Sequence, residues 1–361
     1  MDQVPWEAEP HTKAKHALYR RYLSHWTPIM MQGWGGKATY AEGFAGPGVY
    51  LDGSPGSPVI AIRSLLDRPD LKLKVRNFRF LFVDNDQRCC DLLGKRLRAA
   101  TAQNIELPEL RKHGIDVEIV HGPCEPTLEQ LLTHKGAWGS PMLVVLDTWG
   151  GAVPLDLVRR VASNRGSEVI ITIQPQYFSR FAATSDIDHG DRVFGGTSWR
   201  RVAEQAPQDK ARWLLQHYRE TIRSAGFRYV LDFELIDKRG QALYLVFGTT
   251  HARGLQRMKE AMWEVDDVYG VGYRDPRDPD QEALDIELQP QTAPLRRLLR
   301  DHLATLHDHR ATIDALHEFA LYHTVFKESQ VRPVAMDMIA QGELVRCDGG
   351  TLSRRSVVGL P

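Results

Sequence analysis

The residues best placed to do chemistry are Glu42-Gly43-Phe44-Ala45-Gly46-Pro47-Gly48, which follow a β-prone run at 37–41 and precede a helix opening at Ser57-Pro58. A strand, a glycine turn and a helix let main chain approach a nucleotide-like ligand closely. A dinucleotide fingerprint wants a third glycine three residues past Gly48, where this chain has Leu51, so a nicotinamide or flavin dinucleotide fits poorly. A P-loop is excluded, because no Gly-Lys-Ser/Thr ending follows. An acidic strand end with a Gly-x-Gly turn suits S-adenosylmethionine (SAM), whose cationic methionine end has no phosphate to cradle. Glu42, Phe44, Ala45, Gly46 and Gly48 are therefore the expected cofactor contacts. Any tight strand-to-helix turn can use the same glycines, and that alternative stays open here.

Three further strand ends carry polar groups that a doubly wound sheet would gather at one edge. Asp84 closes the second expected strand, 36 residues past Gly48, against about 20 in a compact dinucleotide unit. The Pro/Gly-rich turn at 49–57 accounts for the excess, and the carboxylate is expected on the ribose hydroxyls of an adenosine. Residues 121–125, with Gly122 and Cys124, are expected beside the adenine. Asp147 ends an apolar central strand and runs into Thr148-Trp149-Gly150. A carboxylate and an aromatic residue there resemble the acidic-Pro-x-aromatic loop of amino-methyltransferases. In such a loop the carboxylate aligns the acceptor amine and the ring stacks on a flat substrate. Asp147 and Trp149 are the catalytic candidates, with Thr148 in place of the proline; a helix cap or an indirect cofactor contact is the alternative for Asp147.

The elements that must hold these groups alternate. An amphipathic helix is expected from Pro10-His11-Thr12, with Ala14, Ala17, Leu18, Tyr22, Leu23 and Trp26 on its apolar stripe. Strands at 37–44, 77–83, 116–120, 142–146 and 168–173 are separated by helices, which argues a parallel sheet covered on both faces. Ser57 is read as the cap of the helix after the glycine turn, with Pro58 at its first position. Residues 178–225 form a mainly helical insertion. The runs 228–236 and 242–249, joined by Asp237-Lys238-Arg239-Gly240, read as a hairpin. A parallel sheet finished by an antiparallel hairpin is the usual arrangement of class I SAM-dependent methyltransferases. The expected fold is thus α/β, a class I methyltransferase-like Rossmann sheet with a small winged-helix-like C-terminal domain. The boundaries are 1–36 for an N-terminal helical segment, 37–270 for the SAM-binding domain and 290–361 for the C-terminal domain. A small docking or dimerisation module is the alternative for the last.

Partners and compartment are less constrained. Lys+Arg and Asp+Glu are equal at 46 each, so no global field advertises nucleic acid. The local basic run His11, Lys13, Lys15 and Arg20 is the candidate nucleic-acid contact, against the alternative of a solvated helix face. The four cysteines (Cys89, Cys90, Cys124, Cys347) have neither disulfide nor zinc spacing, and the histidines show no ligand spacing, so no metal is expected. No apolar run reaches the roughly 20 residues of a membrane helix, and Met-Asp-Gln-Val-Pro-Trp is no export signal. A cytoplasmic location is expected.

His11-Thr12-Lys13-Ala14-Lys15-His16, Tyr22-Leu23, residues 42–50 and Gly53-Ser54-Pro55-Gly56-Ser57-Pro58 together resemble the three-Cys-motif partner protein family. Phe82-Val83-Asp84, Phe194-Gly195 with Trp199, and 244–259 extend the resemblance over most of the chain. It implies a SAM-binding Rossmann protein and, as a possible partner, a radical-SAM-like protein carrying the three cysteines. Similar members carry Asp-Pro-Phe-Gly where this chain has Asp147-Thr148-Trp149-Gly150. The expected function is SAM-dependent methyl transfer to a nucleic acid or nucleotide-like acceptor. The alternatives are a non-catalytic SAM-binding partner, or a small-molecule methyltransferase lidded by 178–225.

Overall fold

The computed structural model describes residues 3–72, 74–101, 105–148, 150–182, 187–274, 291–348 and 351–361. The described residues divide into two compact units, 3–257 with 273–274, and 258–272 with 291–361.

The first unit is built on a sheet of eight strands. They are β1 (Lys37–Glu42), β2 (Asn77–Asp84), β3 (Ile115–His121), β4 (Met142–Leu146), β5 (Glu168–Ile173), β6 (Tyr229–Ile236), β7 (Ala242–Thr249) and β8 (Gly272–Arg274). Their spatial order is β3-β2-β1-β4-β5-β7-β6-β8. Strands β1 to β5 run parallel, with Ala41 opposite Leu81 on one side and Val144 on the other. β7 runs antiparallel to β5 and to β6, so the hairpin reverses the sheet's far side. Every residue of β4 and β5 is buried, as the unbroken apolar run Met142 to Leu146 requires of a strand covered on both faces.

Helix α1 (Pro10–Gly33) is more than an N-terminal appendage. Its stripe of Leu18, Tyr22, Leu23 and Trp26 is buried. Tyr22 meets the Phe247 ring edge-on at 5.2 Å, and Trp26 meets Phe78 at 5.9 Å. Full burial of a large apolar side chain contributes roughly 1.5–3 kcal/mol, so α1 is one of the layers that stabilise the sheet. Helix α2 (Ser57–Leu66) begins where expected but is capped differently. Gly56 holds the cap position and makes no side-chain bond, while the Ser57 hydroxyl donates to Glu42. Ser57 therefore ties the helix start to the end of β1.

Residues 175–224 carry helices Pro175–Phe181, Ile187–Phe194 and Lys210–Ser224 and a 3-10 segment Thr197–Glu204. Phe178, Phe194, Trp199 and Tyr218 pack ring against ring at 5.2–6.1 Å. That aromatic cluster joins the insertion to the apolar core of β4, β5 and β7.

The second unit has helices Ala293–Thr305, Ile313–His323 and Glu328–Ala340, and a three-stranded antiparallel sheet. Its strands β9 (Arg310–Thr312), β10 (Val345–Arg346) and β11 (Val357–Gly359) lie in the order β10-β11-β9. Leu295, Leu299, Leu316, Val331, Met338 and Val358 form its core. Lys259 belongs to it too and is 1% exposed. Its ammonium reaches the carbonyls of Ala320 (3.0 Å), Leu321 (2.6 Å), Thr324 (2.6 Å) and Phe326 (3.2 Å). Helix ends leave such carbonyls unsatisfied and attract a cation. Burial pulls Lys259 down to about 7, and the carbonyls oppose that loss of charge. Lys259→Met keeps the stem and removes the donor. It is expected to destabilise this unit by about 2–4 kcal/mol, seen as faster amide hydrogen exchange in 313–323. Unchanged exchange there would show that the lysine caps nothing of consequence.

Candidate active site

The strand order reverses between β1 and β4, and ligands of open α/β sheets sit beyond the carboxyl ends of strands at such a point. One carboxylate organises that edge. Asp84 at the end of β2 accepts the Gly46 N–H on one oxygen (2.7 Å) and the Asp86 N–H on the other (2.9 Å). The loop leaving β1 is thereby fastened to the end of β2, helped by Ala45 N–H donating to the Val83 carbonyl at 3.0 Å. Beyond β3, the Gly122 N–H donates to the Asp84 carbonyl at 2.9 Å. Three strand ends are held together by main-chain donors.

Between them lies a cavity of about 330 Å³, within the ~300–1,000 Å³ usual for ligand pockets. Gly43 and Phe44 line it after β1, Asn85 after β2, Pro123 to Glu125 after β3, and Thr148 with 151–154 after β4. Gly43 must be glycine, since a Cβ there would stand 2.4 Å from Cys124 Sγ. Burial raises the Cys124 thiol to about 12, so it stays protonated and acts as an apolar wall. The helical insertion closes the remaining side through His189 and Arg192. His189 Nε2 lies 2.8 Å from the Gly151 carbonyl, and Arg192 pairs with Glu125.

A second polar group sits on the α1 side of the same strand ends. Glu42 is 1% exposed and accepts the hydroxyls of Tyr40 (2.6 Å) and Ser57 (2.8 Å); burial lifts its carboxyl to about 8. Asp147 forms an ion pair with Lys15 of α1 in which both side chains are largely buried. Beside them His16 is pushed down to about 3, first by burial and then by the Lys15 charge, so its ring is neutral. His16 Nε2 lies 3.5 Å from Tyr50 Oη. Tyr19 is buried, and its hydroxyl makes no hydrogen bond among the described residues.

Of the residues expected at a cofactor, Phe44 and Cys124 line the cavity, and Asp84, Ala45, Gly46 and Gly122 tie together the strand ends beside it. Glu42 faces away from it, because alternate residues of a strand point to opposite faces. Gly48 abuts Leu93 of the Gln87–Ala99 helix rather than the opening. Trp149 lies outside the described residues. Lys15 departs from the expected solvent-facing basic run: α1 lies along the sheet, and its ammonium is drawn to the strand-end carboxylate. Lys13 is exposed and pairs with Asp52 at 2.7 Å; Arg20 is exposed and His11 half-buried. Asn85, Thr148, His189 and Arg192 were not singled out from the sequence. Asn85 and Thr148 each follow a residue that was, and the two insertion residues carry no sequence signal. No group of three or more His, Cys, Asp or Glu among the described residues could hold a metal ion, and none of their helices is long and apolar enough to cross a membrane.

No family model matches the sequence, and no curated protein matches it. Among solved structures, the "delta-N METTL16 MTase domain" aligns at 11% identity over 64% of this chain and 82% of its own, with a TM-score of 0.31. The N-terminal domain of human METTL16 in complex with SAH aligns at 12% identity over 63% and 68%, with a TM-score of 0.28.

The buried titratable groups set opposite pH slopes. A histidine lowered from 6.5 to about 3 binds its proton only when the chain unfolds, so stability falls as pH drops through that window. A carboxyl raised from 4.5 to about 8 keeps its proton only in the folded state, so stability falls as pH rises through 4.5 to 8. Glu42→Gln is therefore expected to gain stability relative to the native chain between pH 5 and pH 8, measured by urea unfolding. A difference that stays constant with pH would contradict a buried, protonated Glu42.

Proposed function

We propose that this chain is a SAM-dependent methyltransferase whose acceptor is a nucleic acid or a nucleotide-like molecule. The observation that carries this reading is the cavity walled by the segments after β1, β2, β3 and β4 at the switch point. The sheet around it, parallel and then finished by an antiparallel hairpin, has the usual class I methyltransferase arrangement.

The residues present fit the cofactor. Asp84 has lone pairs left beyond its two main-chain donors, as a ribose diol requires. Gly43 to Gly46 offer main chain to the methionine end, and Pro123 to Glu125 flank the adenine. SAM, when bound, supplies an activated methyl group, so the protein's work is to position the acceptor and exclude water. Asp147 holds one carboxylate oxygen against Lys15, and Oδ1 accepts no hydrogen bond among the described residues. That oxygen is the group we assign to orienting an acceptor N–H or O–H. Lys15 is the cation beside Asp147 and fixes the carboxylate in place. His189 and Arg192 would hold the insertion over the cofactor.

We read the C-terminal unit, with its three helices and small three-stranded sheet, as a winged-helix-like module that engages a partner. One observation favours a protein over a nucleic acid there. The Glu328–Ala340 helix exposes Pro333 and Met336 with a single arginine, Arg332, and its Asp337 pairs with Arg296. Phosphate recognition asks for more positive charge than this. Under this second reading the chain is a SAM-binding partner of a radical-SAM-like protein of the three-Cys-motif kind.

Calorimetric titration with SAM separates these possibilities from a protein that binds no cofactor. The native chain is expected to bind, and Asp84→Ala to bind about tenfold more weakly or worse, as loss of a charge-assisted hydrogen bond implies. No binding, or equal binding by the variant, would refute the assignment. Transfer of labelled methyl to RNA, DNA or extract then distinguishes the enzyme from the non-catalytic partner.

A further inference from the structure

A second cavity, of about 450 Å³, opens at the other end of the sheet, where β5 starts and antiparallel β7 finishes. Its floor is Glu168, which is 5% exposed and accepts the Tyr22 hydroxyl and, at 2.8 Å, that of Thr249. The start of the Ala252–Val265 helix passes directly over this carboxyl. A Cβ on Gly254 would stand 2.1 Å from Glu168 Oε1, so only glycine allows that approach. Trp34 supplies a flat apolar wall with Trp26 buried behind it, and Arg165, Arg253 and Arg257 line the pocket toward solvent. The Arg165 guanidinium already lies over the Trp34 ring, 5.6 Å from its centroid.

We propose that this cavity binds a nucleotide, with the base against Trp34 and the phosphate on the arginines. Aromatic side chains take any base by stacking, and guanidinium forks match phosphate oxygens in pairs. A buried carboxyl at the floor meets the polar edge of the base. Burial raises Glu168 to about 7, so at neutral pH it can accept a hydrogen bond or donate one, which suits guanine and adenine edges alike. Neither the tryptophans nor the arginines belong to the strand-end cleft, so the inference does not rest on the methyltransferase reading.

The test is calorimetry of the full chain with GMP, AMP, guanosine and inorganic phosphate. A nucleoside monophosphate is expected to bind at least about tenfold more tightly than guanosine or phosphate alone. Arg253→Glu and Arg165→Glu, both at exposed positions, should each weaken it about tenfold, while Asp84→Ala leaves it unchanged. Melting curves that match the native chain's establish that the variants are folded. Absence of binding by both nucleotides overturns the proposal. Binding lost in Asp84→Ala and kept in Arg253→Glu also overturns it, by placing the nucleotide in the strand-end cleft.

Discussion

The Asp84 carboxylate is the fixed point of the first unit's functional edge. Two main-chain N–H groups converge on it, one from the loop after β1 and one from its own turn. A partly buried carboxylate with two such donors is hard to displace, because each charge-assisted bond is stronger than a neutral one. The position of Gly43, and hence the wall against Cys124, follows from where that loop is tied. A doubly wound sheet supplies the edge, and this interaction gives the edge its shape.

The α1 side of the same edge depends on a different kind of contact. Lys15 and Asp147 are separated by 132 residues and meet only because α1 lies along the sheet. Burying such a pair costs desolvation that the attraction recovers only with good geometry. Its presence near a neutral histidine and a tyrosine hydroxyl that has no hydrogen bond among the described residues is a better sign of function than of stability. Uncompensated polar groups of this kind concentrate where a protein does chemistry.

Much of the frame was legible in the sequence because it rests on local rules. Periodicity gave α1 and the β/α alternation, and the glycine turn marked the end of β1. The hairpin followed from Asp237 to Gly240. Legibility ended where a side chain's partner lies far along the chain. Ser57 has the composition of a cap, yet its hydroxyl is drawn to Glu42, a buried carboxyl that helix rules do not see. Lys15 sits among basic neighbours in sequence and is expected on a nucleic-acid-contacting or solvated face, but a strand-end carboxylate draws it inward. His189 and Arg192 belong to an insertion whose docking is set by Phe178, Phe194, Trp199 and Tyr218. The nucleotide-sized cavity over Glu168 was invisible for the same reason: its walls come from α1, β5, β7 and a helix start.

The central claim is that a SAM-type ligand lies along the strand ends with its sugar at Asp84. A crystal structure of the chain grown with the demethylated cofactor tests it most directly. The account predicts density running from Gly43 to Glu125, with the ribose hydroxyls within hydrogen-bond distance of the Asp84 oxygens. Density confined to another cavity, or a strand-end cleft filled by the protein's own side chains, would contradict it.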